Sequence, residues 1–158
     1  MTDVVPIKTP EIIAEVGGVV DEPRLTLGIY GSDLEPTEVS NLLGCAPTSA
    51  HRRGDLRREG LAAWPQGAWL LSVEGKSPTG PDELVGLLLG RLPQGSAIWE
   101  QLRAKYSVRL SFGIYVVRWN SGFELSPTSI NRLAAIGGQV GIDIYAEVDE
   151  ANSGEGTR

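Results

Sequence analysis

Arg24-Leu-Thr-Leu-Gly-Ile-Tyr30 returns later in the chain as Arg109-Leu-Ser-Phe-Gly-Ile-Tyr115. In both copies large apolar residues occupy every second position, which is the period of a strand with one buried face. Similar punctuation follows each copy. The first leads to Leu34-Glu-Pro-Thr37 and Leu42-Leu43-Gly44, the second to Leu125-Ser-Pro-Thr128, Leu133 and Gly137-Gly138. Pro suits the first position of a helix, where no N–H is needed, and Gly suits its end. The pattern reads as a duplicated unit of strand, turn and short helix.

Working outward, residues 67–74 read as a strand and 139–148 as a second long one, while 122–125 reads as a short strand hairpinned to the end of 107–118. Helices are expected at 81–91, started by Pro81 and stopped by Pro93, and at 96–105, capped by Ser96. This order suits an α+β domain: a mainly antiparallel sheet with helices on one face and ferredoxin-like duplicated β-α-β halves. The alternative is a doubly wound parallel sheet. Strands buried on both faces would read as continuous apolar runs, so the strict alternation favours the antiparallel form.

The same alternation assigns the two faces. Leu25, Leu27 and Ile29, then Val108, Leu110, Phe112, Ile114 and Val116, then Val140, Ile142, Ile144, Ala146 and Val148 are expected under the helices. The opposite face carries Tyr30, Tyr115 and Tyr145, with Arg24, Arg109 and Asp143 among them. Gly28, Gly113 and Gly141 precede the tyrosines by two or four positions. Gly within a strand often marks a place where something approaches the backbone closely. A groove floored by these glycines and walled by the tyrosines would suit a small ligand or a protein segment. The plainer reading is that tyrosine is a good strand residue and that the glycines relieve crowding or let the 51–66 loop cross the sheet.

The chain has 158 residues, one Cys and one His, and a formal charge of −6. That length suits one domain, and it can bury a core without disulfides. Residues 24–146 hold 12 basic and 11 acidic residues, so the acidity belongs to the ends. The division expected is an N-terminal extension over 1–23, partly disordered, with Ile12, Ile13 and Val16 at helical spacing after Pro10. A single α+β domain follows over 24–148, and a disordered acidic tail over 149–158. No apolar run approaches a membrane span and the N-terminus lacks signal-peptide order, which points to the cytoplasm and away from membranes.

Catalytic signatures are scarce. Gly75-Lys76-Ser77 resembles the end of a phosphate-binding loop, but Leu70 stands where the first glycine is required. Cys45 lies just past a helix end in apolar company and reads as a core residue, and Cys45 with His51 makes no usual metal ligand set. The expectation is no catalytic residue, no metal and no cofactor. His51-Arg-Arg-Gly-Asp55-Leu-Arg-Arg58 concentrates positive charge, so Arg52 and Arg53 are candidate anion ligands with Asp55 beside them. A solvated turn capped by Asp55 is the competing reading. Nucleic acid is not an expected partner, because a basic surface across the domain is missing. Trp64 and Trp69 are expected to anchor this loop to the sheet.

At Ile29-Tyr-Gly31, Asp33, Pro36, Leu42-Leu43-Gly44, Pro47-Thr48, Arg53-Gly54-Asp55 and Trp69, the chain resembles the bacterial family of domain of unknown function 4279. Leu125-Ser-Pro127, Leu133-Ala-Ala-Ile-Gly137 and Ile142-Asp-Ile-Tyr-Ala146 extend the likeness across roughly residues 24–146. The resemblance implies a small stand-alone bacterial domain and transfers no catalytic residue. The chain departs from that family in having His51 at a commonly aromatic position, which argues against stacking there. The leading expectation is a non-enzymatic protein-binding role, regulatory or, by analogy with other small acidic α+β proteins, immunity-like. The alternative is a small-ligand sensor taking an anion on the open sheet face.

Overall fold

The computed structural model describes residues 18–147 apart from Glu59 and Trp119. The N-terminal extension with its helically spaced Ile12, Ile13 and Val16, the acidic tail and the strand end at Val148 lie outside the described residues. Along the chain come β1 (Glu22–Gly31), α1 (Pro36–Leu43), β2 (Ser49–His51), β3 (Gly67–Glu74), α2 (Pro81–Leu89), α3 (Ser96–Lys105), β4 (Ser107–Val116), α4 (Pro127–Ile136) and β5 (Gln139–Ala146). The fold is α+β, with one mixed sheet in the order β2-β3-β1-β4-β5. Three of the four pairings are antiparallel, and β4 with β5 is parallel because α4 carries the chain back across the sheet.

The two similar segments become neighbours. β1 and β4 pair antiparallel with Thr26 opposite Ser111, so Arg24 meets Gly113 and Gly28 meets Arg109. Each strand leads to a helix with Pro in its first turn and a glycine with φ of 70° at its end, Gly44 for α1 and Gly137 for α4. That left-handed conformation is the one glycine adopts without a Cβ penalty. The likeness stops at the outer neighbours: β3 runs antiparallel to β1, whereas β5 runs parallel to β4.

All four helices contribute to one core. Val39 and Leu43 of α1, Leu84, Val85 and Leu88 of α2, Trp99 and Leu102 of α3, and Leu133 and Ile136 of α4 pack with Leu25, Leu27, Ile29, Trp69, Leu71, Leu110 and Phe112 of the sheet. Trp69 is fully buried and its indole N–H donates to Ser40 Oγ at 3.0 Å, so the ring is both packed and satisfied. Residue Asp82 in the first turn of α2 ties down the next layer. Its carboxylate accepts the Ser126 N–H at 2.8 Å, and this bond, with help from Ser129, holds its pKa below the ordinary carboxylate range.

Several local expectations are corrected. The helix beginning at Pro81 ends at Leu89, and Gly95 caps α3, leaving Ser96 as its first residue with no capping bond from a side chain. The short strand at 122–125 is absent. That stretch follows an isolated parallel bridge in which Gly18 donates to Asn120 O at 2.7 Å and accepts from Gly122. The three-residue β2 was not anticipated, being too short to show a period.

The largest correction concerns β5. Its apolar side was expected beneath the helices, yet Val140, Ile142 and Ile144 are 49%, 50% and 67% exposed. Their register partners on β4, namely Leu110, Phe112 and Ile114, are at most 1% exposed. The main helix contacts with the sheet, from α1, α2 and α3, fall on β1, β3 and β4, and among the described residues β5 has no comparable helix cover.

Candidate functional site

The face away from the helices is organised in rows by strand register. One row runs His51, Ala68, Tyr30 and Ser107; the next Ser49, Leu70, Gly28, Arg109 and Gln139. Further along, Glu74, Arg24, Gly113 and Asp143 share a row, and Glu22, Tyr115 and Tyr145 form the last. The three tyrosines therefore do share one face. They stand at opposite ends of it: Tyr115 lies eight residues along β4 from the partner of Tyr30, about 27 Å at roughly 3.4 Å per residue.

A single tyrosine-walled groove is consequently absent, and the glycine floor is already occupied. A Cβ on Gly28 would stand 2.6 Å from Cε2 of Tyr30, because that ring lies back over its own strand. One on Gly141 would stand 2.8 Å from Nη2 of Arg109. Tyr145 reaches over Gly113 and stacks on Tyr115, with ring centroids 4.8 Å apart and planes inclined by 18°. The glycines make room for long side chains of the same face to lie flat, which is the plainer of the two readings.

Of the nine candidates, Tyr30, Arg109 and Asp143 meet in one shallow basin of about 500 Å3, shared with Ser107, Ser111 and Gln139. Arg109 and Asp143 make no ion pair among the described residues. Arg24 and Tyr115 line a separate recess of about 240 Å3, where Arg24 is held by Glu74 at 2.5 Å. Tyr145 joins Tyr115 only through the ring stack. Arg52, Arg53 and Asp55 lie apart from both, on the loop after β2.

That loop is internally bound. The Nε of Arg52 donates to both carboxylate oxygens of Glu35, at 2.9 and 3.1 Å, and the Arg52 N–H donates to Asp55 Oδ2 at 2.7 Å. Arg53 sits in the turn, exposed. His51 stacks on Trp64 at 3.8 Å with planes 14° apart, and the Arg57 guanidinium covers Trp64 at 4.1 Å. The imidazole thus takes the stacking role that its departure from the family's usual aromatic residue had argued against, since a flat ring is enough. Burial pushes its proton affinity down, with Asp55 opposing and Arg57 adding to the effect. Trp64 anchors the loop through His51 on β2, and Arg57, one of the four arginines of the 51–58 stretch, closes the stack.

The remaining chemistry is limited. The free thiol of Cys45 packs against the core, and burial raises its pKa, so it is held as thiol at neutral pH. Among the described residues no cluster of His, Cys, Asp and Glu is placed to hold a metal ion. Among them, too, no helix is long and apolar enough to cross a membrane.

Sequence reasoning missed the outer side of β5. Here Val140, Ile142 and Ile144 form an apolar strip on one face that stays about half exposed or more among the described residues, while Asp143 and Tyr145 occupy the other. A family model described as domain of unknown function (DUF4279) matches residues 21–147. No curated protein and no solved structure matches the chain.

Proposed function

We propose, for a chain that belongs to the DUF4279 family across residues 21–147, that it is a cytoplasmic protein-binding domain without enzymatic activity, regulatory or immunity-like in role. The observation that carries this reading is the half-exposed strip of Val140, Ile142 and Ile144 beside Leu110, Phe112 and Ile114, which are buried. Exposed apolar residues scattered singly need no explanation, but three in register along a strand edge match how sheets accept a protein partner. The adjoining Tyr115 and Tyr145 pair supplies rigid aromatic surface at the end of the same strand, of the kind enriched at interfaces. A reducing compartment suits the free thiol of Cys45. The paired β1–α1 and β4–α4 segments, related about Thr26 and Ser111, favour descent from a duplicated ferredoxin-like half to which β5 was added as an outer strand.

The test is recovery of a stoichiometric partner from cells of the source organism with the full chain as bait. Binding is expected to be lost in Ile142→Lys and retained in Ile130→Lys, an exposed apolar position on α4. Equal capture by both variants would refute the assignment to β5.

A second reading rests on Arg109, which lines the basin and has no ionic partner among the described residues. A small carboxylate or phosphate ligand would satisfy it. Such a ligand at 100 times its dissociation constant adds about 2.7 kcal/mol of stability, easily read in a thermal-shift panel. The shift should vanish in Arg109→Gln. A panel of anions giving no shift would remove this alternative.

A further inference from the structure

The two edges of the sheet are unlike. β2 has three residues, the short edge that commonly blunts unwanted pairing. β5 has eight, pairs with β4 without a bulge, and contains neither Pro nor Lys. No described strand lies outside it. A long, regular edge whose one charged side chain is Asp143 is a template for another strand wherever that carboxylate finds a partner.

Its sequence, Gln139-Val-Gly-Ile-Asp-Ile-Tyr-Ala146, is complementary to itself in one antiparallel register. Centred on Ile142, the pairing sets Ile142 against Ile142, Val140 against Ile144, and Gly141 against Asp143. Centred on Asp143, it would place two carboxylates directly opposite, which is destabilising. The first register also answers two features of the open face. Arg109 lies over Gly141, its Nη2 at 2.8 Å from a Cβ position there, and has no ion pair among the described residues. Opposed residues of an antiparallel pair have Cβ atoms about 4.5–5.5 Å apart, so a carboxylate facing Gly141 falls within reach of that guanidinium.

We propose that a second copy of this chain pairs with β5 antiparallel about a two-fold axis through Ile142, with Arg109 of each copy meeting Asp143 of the other. This deepens the protein-contact reading and rests on it. An axis normal to the sheet keeps the helices of both copies on one side and joins the two five-stranded sheets into one of ten. It brings the two Val140, Ile142 and Ile144 strips together, so that their shared edge leaves water. A strand pair with one apolar strip lies at the small end of stable interfaces, so the dimer is concentration-dependent rather than permanent.

Sedimentation equilibrium of the full chain over the micromolar range tests this, with thermal denaturation of each variant as the check on folding. The mass should rise toward twice that of one chain. Arg109→Glu and Asp143→Arg should each weaken association at least about tenfold, and the double variant, which swaps the charges, should recover it. A chain that stays monomeric, or a dimer that the swap does not restore, overturns the pairing. If the chain is monomeric yet Ile142→Lys still abolishes capture of a cellular partner, self-pairing falls and the protein-contact reading stands. If neither behaviour depends on β5, both fall.

Discussion

His51 is the one side chain here whose ordinary titration lies close to neutrality, and its stack on Trp64 gives that titration a sign. Burial lowers its pKa in the folded state, so protonation favours the unfolded chain. The stabilising contribution is complete above the unfolded value of about 6.5 and is lost as pH falls through the lower folded value. Melting temperatures taken between neutral and mildly acidic pH should fall faster for the native chain than for His51→Phe, which keeps the stack and cannot titrate. Parallel curves would show that the imidazole is not desolvated. Glycines offer a second contrast at this scale. A Cβ on Gly138 meets the Val108 carbonyl oxygen at 2.7 Å, and backbone cannot yield without parting β4 from β5. The group met at Gly28 is the half-exposed Tyr30 ring, which can swing away. Gly138→Ala should therefore cost about 1–3 kcal/mol in urea unfolding, and Gly28→Ala less than about 1 kcal/mol. Alternation in the sequence put Tyr30, Arg109 and Asp143 correctly on one face. It could not show that Tyr30 and Arg109 would lie down over the glycines, because rotamers depend on neighbours that register alone supplies.

Helix ends show which local signals were legible. Pro36 and Pro127 with Gly44 and Gly137 marked α1 and α4 nearly to the residue, since those signals act through a fixed φ or a missing Cβ and need no tertiary help. Capping by hydroxyls is more conditional. Ser96 was the expected cap of α3, yet Gly95 takes that place without a side-chain bond. Ser126 caps α4, its Oγ accepting the Ser129 N–H at 3.2 Å while its own N–H is held by Asp82 from another helix. The Asp82 bond spans a separation of 44 residues, beyond the reach of a local motif. Ser126→Ala should cost about 1 kcal/mol, whereas Ser96→Ala, at the first helical position, should change stability by no more than about 0.5 kcal/mol. Equal losses in chemical denaturation would mean that α3 draws on its serine after all. Arg103 plays a similar long-range part at the other end of α4, donating to the Ile136 carbonyl beneath the left-handed Gly137.

At the scale of the molecule, periodicity separates apolar from polar faces but carries no information on which strand will lie at the edge. Phe112 and Ile142 were assigned to the same buried side by the same rule, and they are direct register partners. One is fully buried and the other 50% exposed because the helices cover β4 and stop. The difference is energetic as well as geometric. Truncating Phe112 opens a cavity in the centre of a close-packed core, with an expected cost of about 3–5 kcal/mol. Ile142→Ala removes surface that half faces water in the monomer and should cost no more than about 1 kcal/mol in dilute solution. Denaturation at low and high protein concentration separates the contributions of fold and partner. Phe112→Ala should lose the same stability at both, while the deficit of Ile142→Ala should widen with concentration, since only associated chains bury that side chain. A large deficit for Ile142→Ala in the dilute monomer would mean that the apolar strip of β5 is structural, and that neither a second copy nor another partner is needed to account for it.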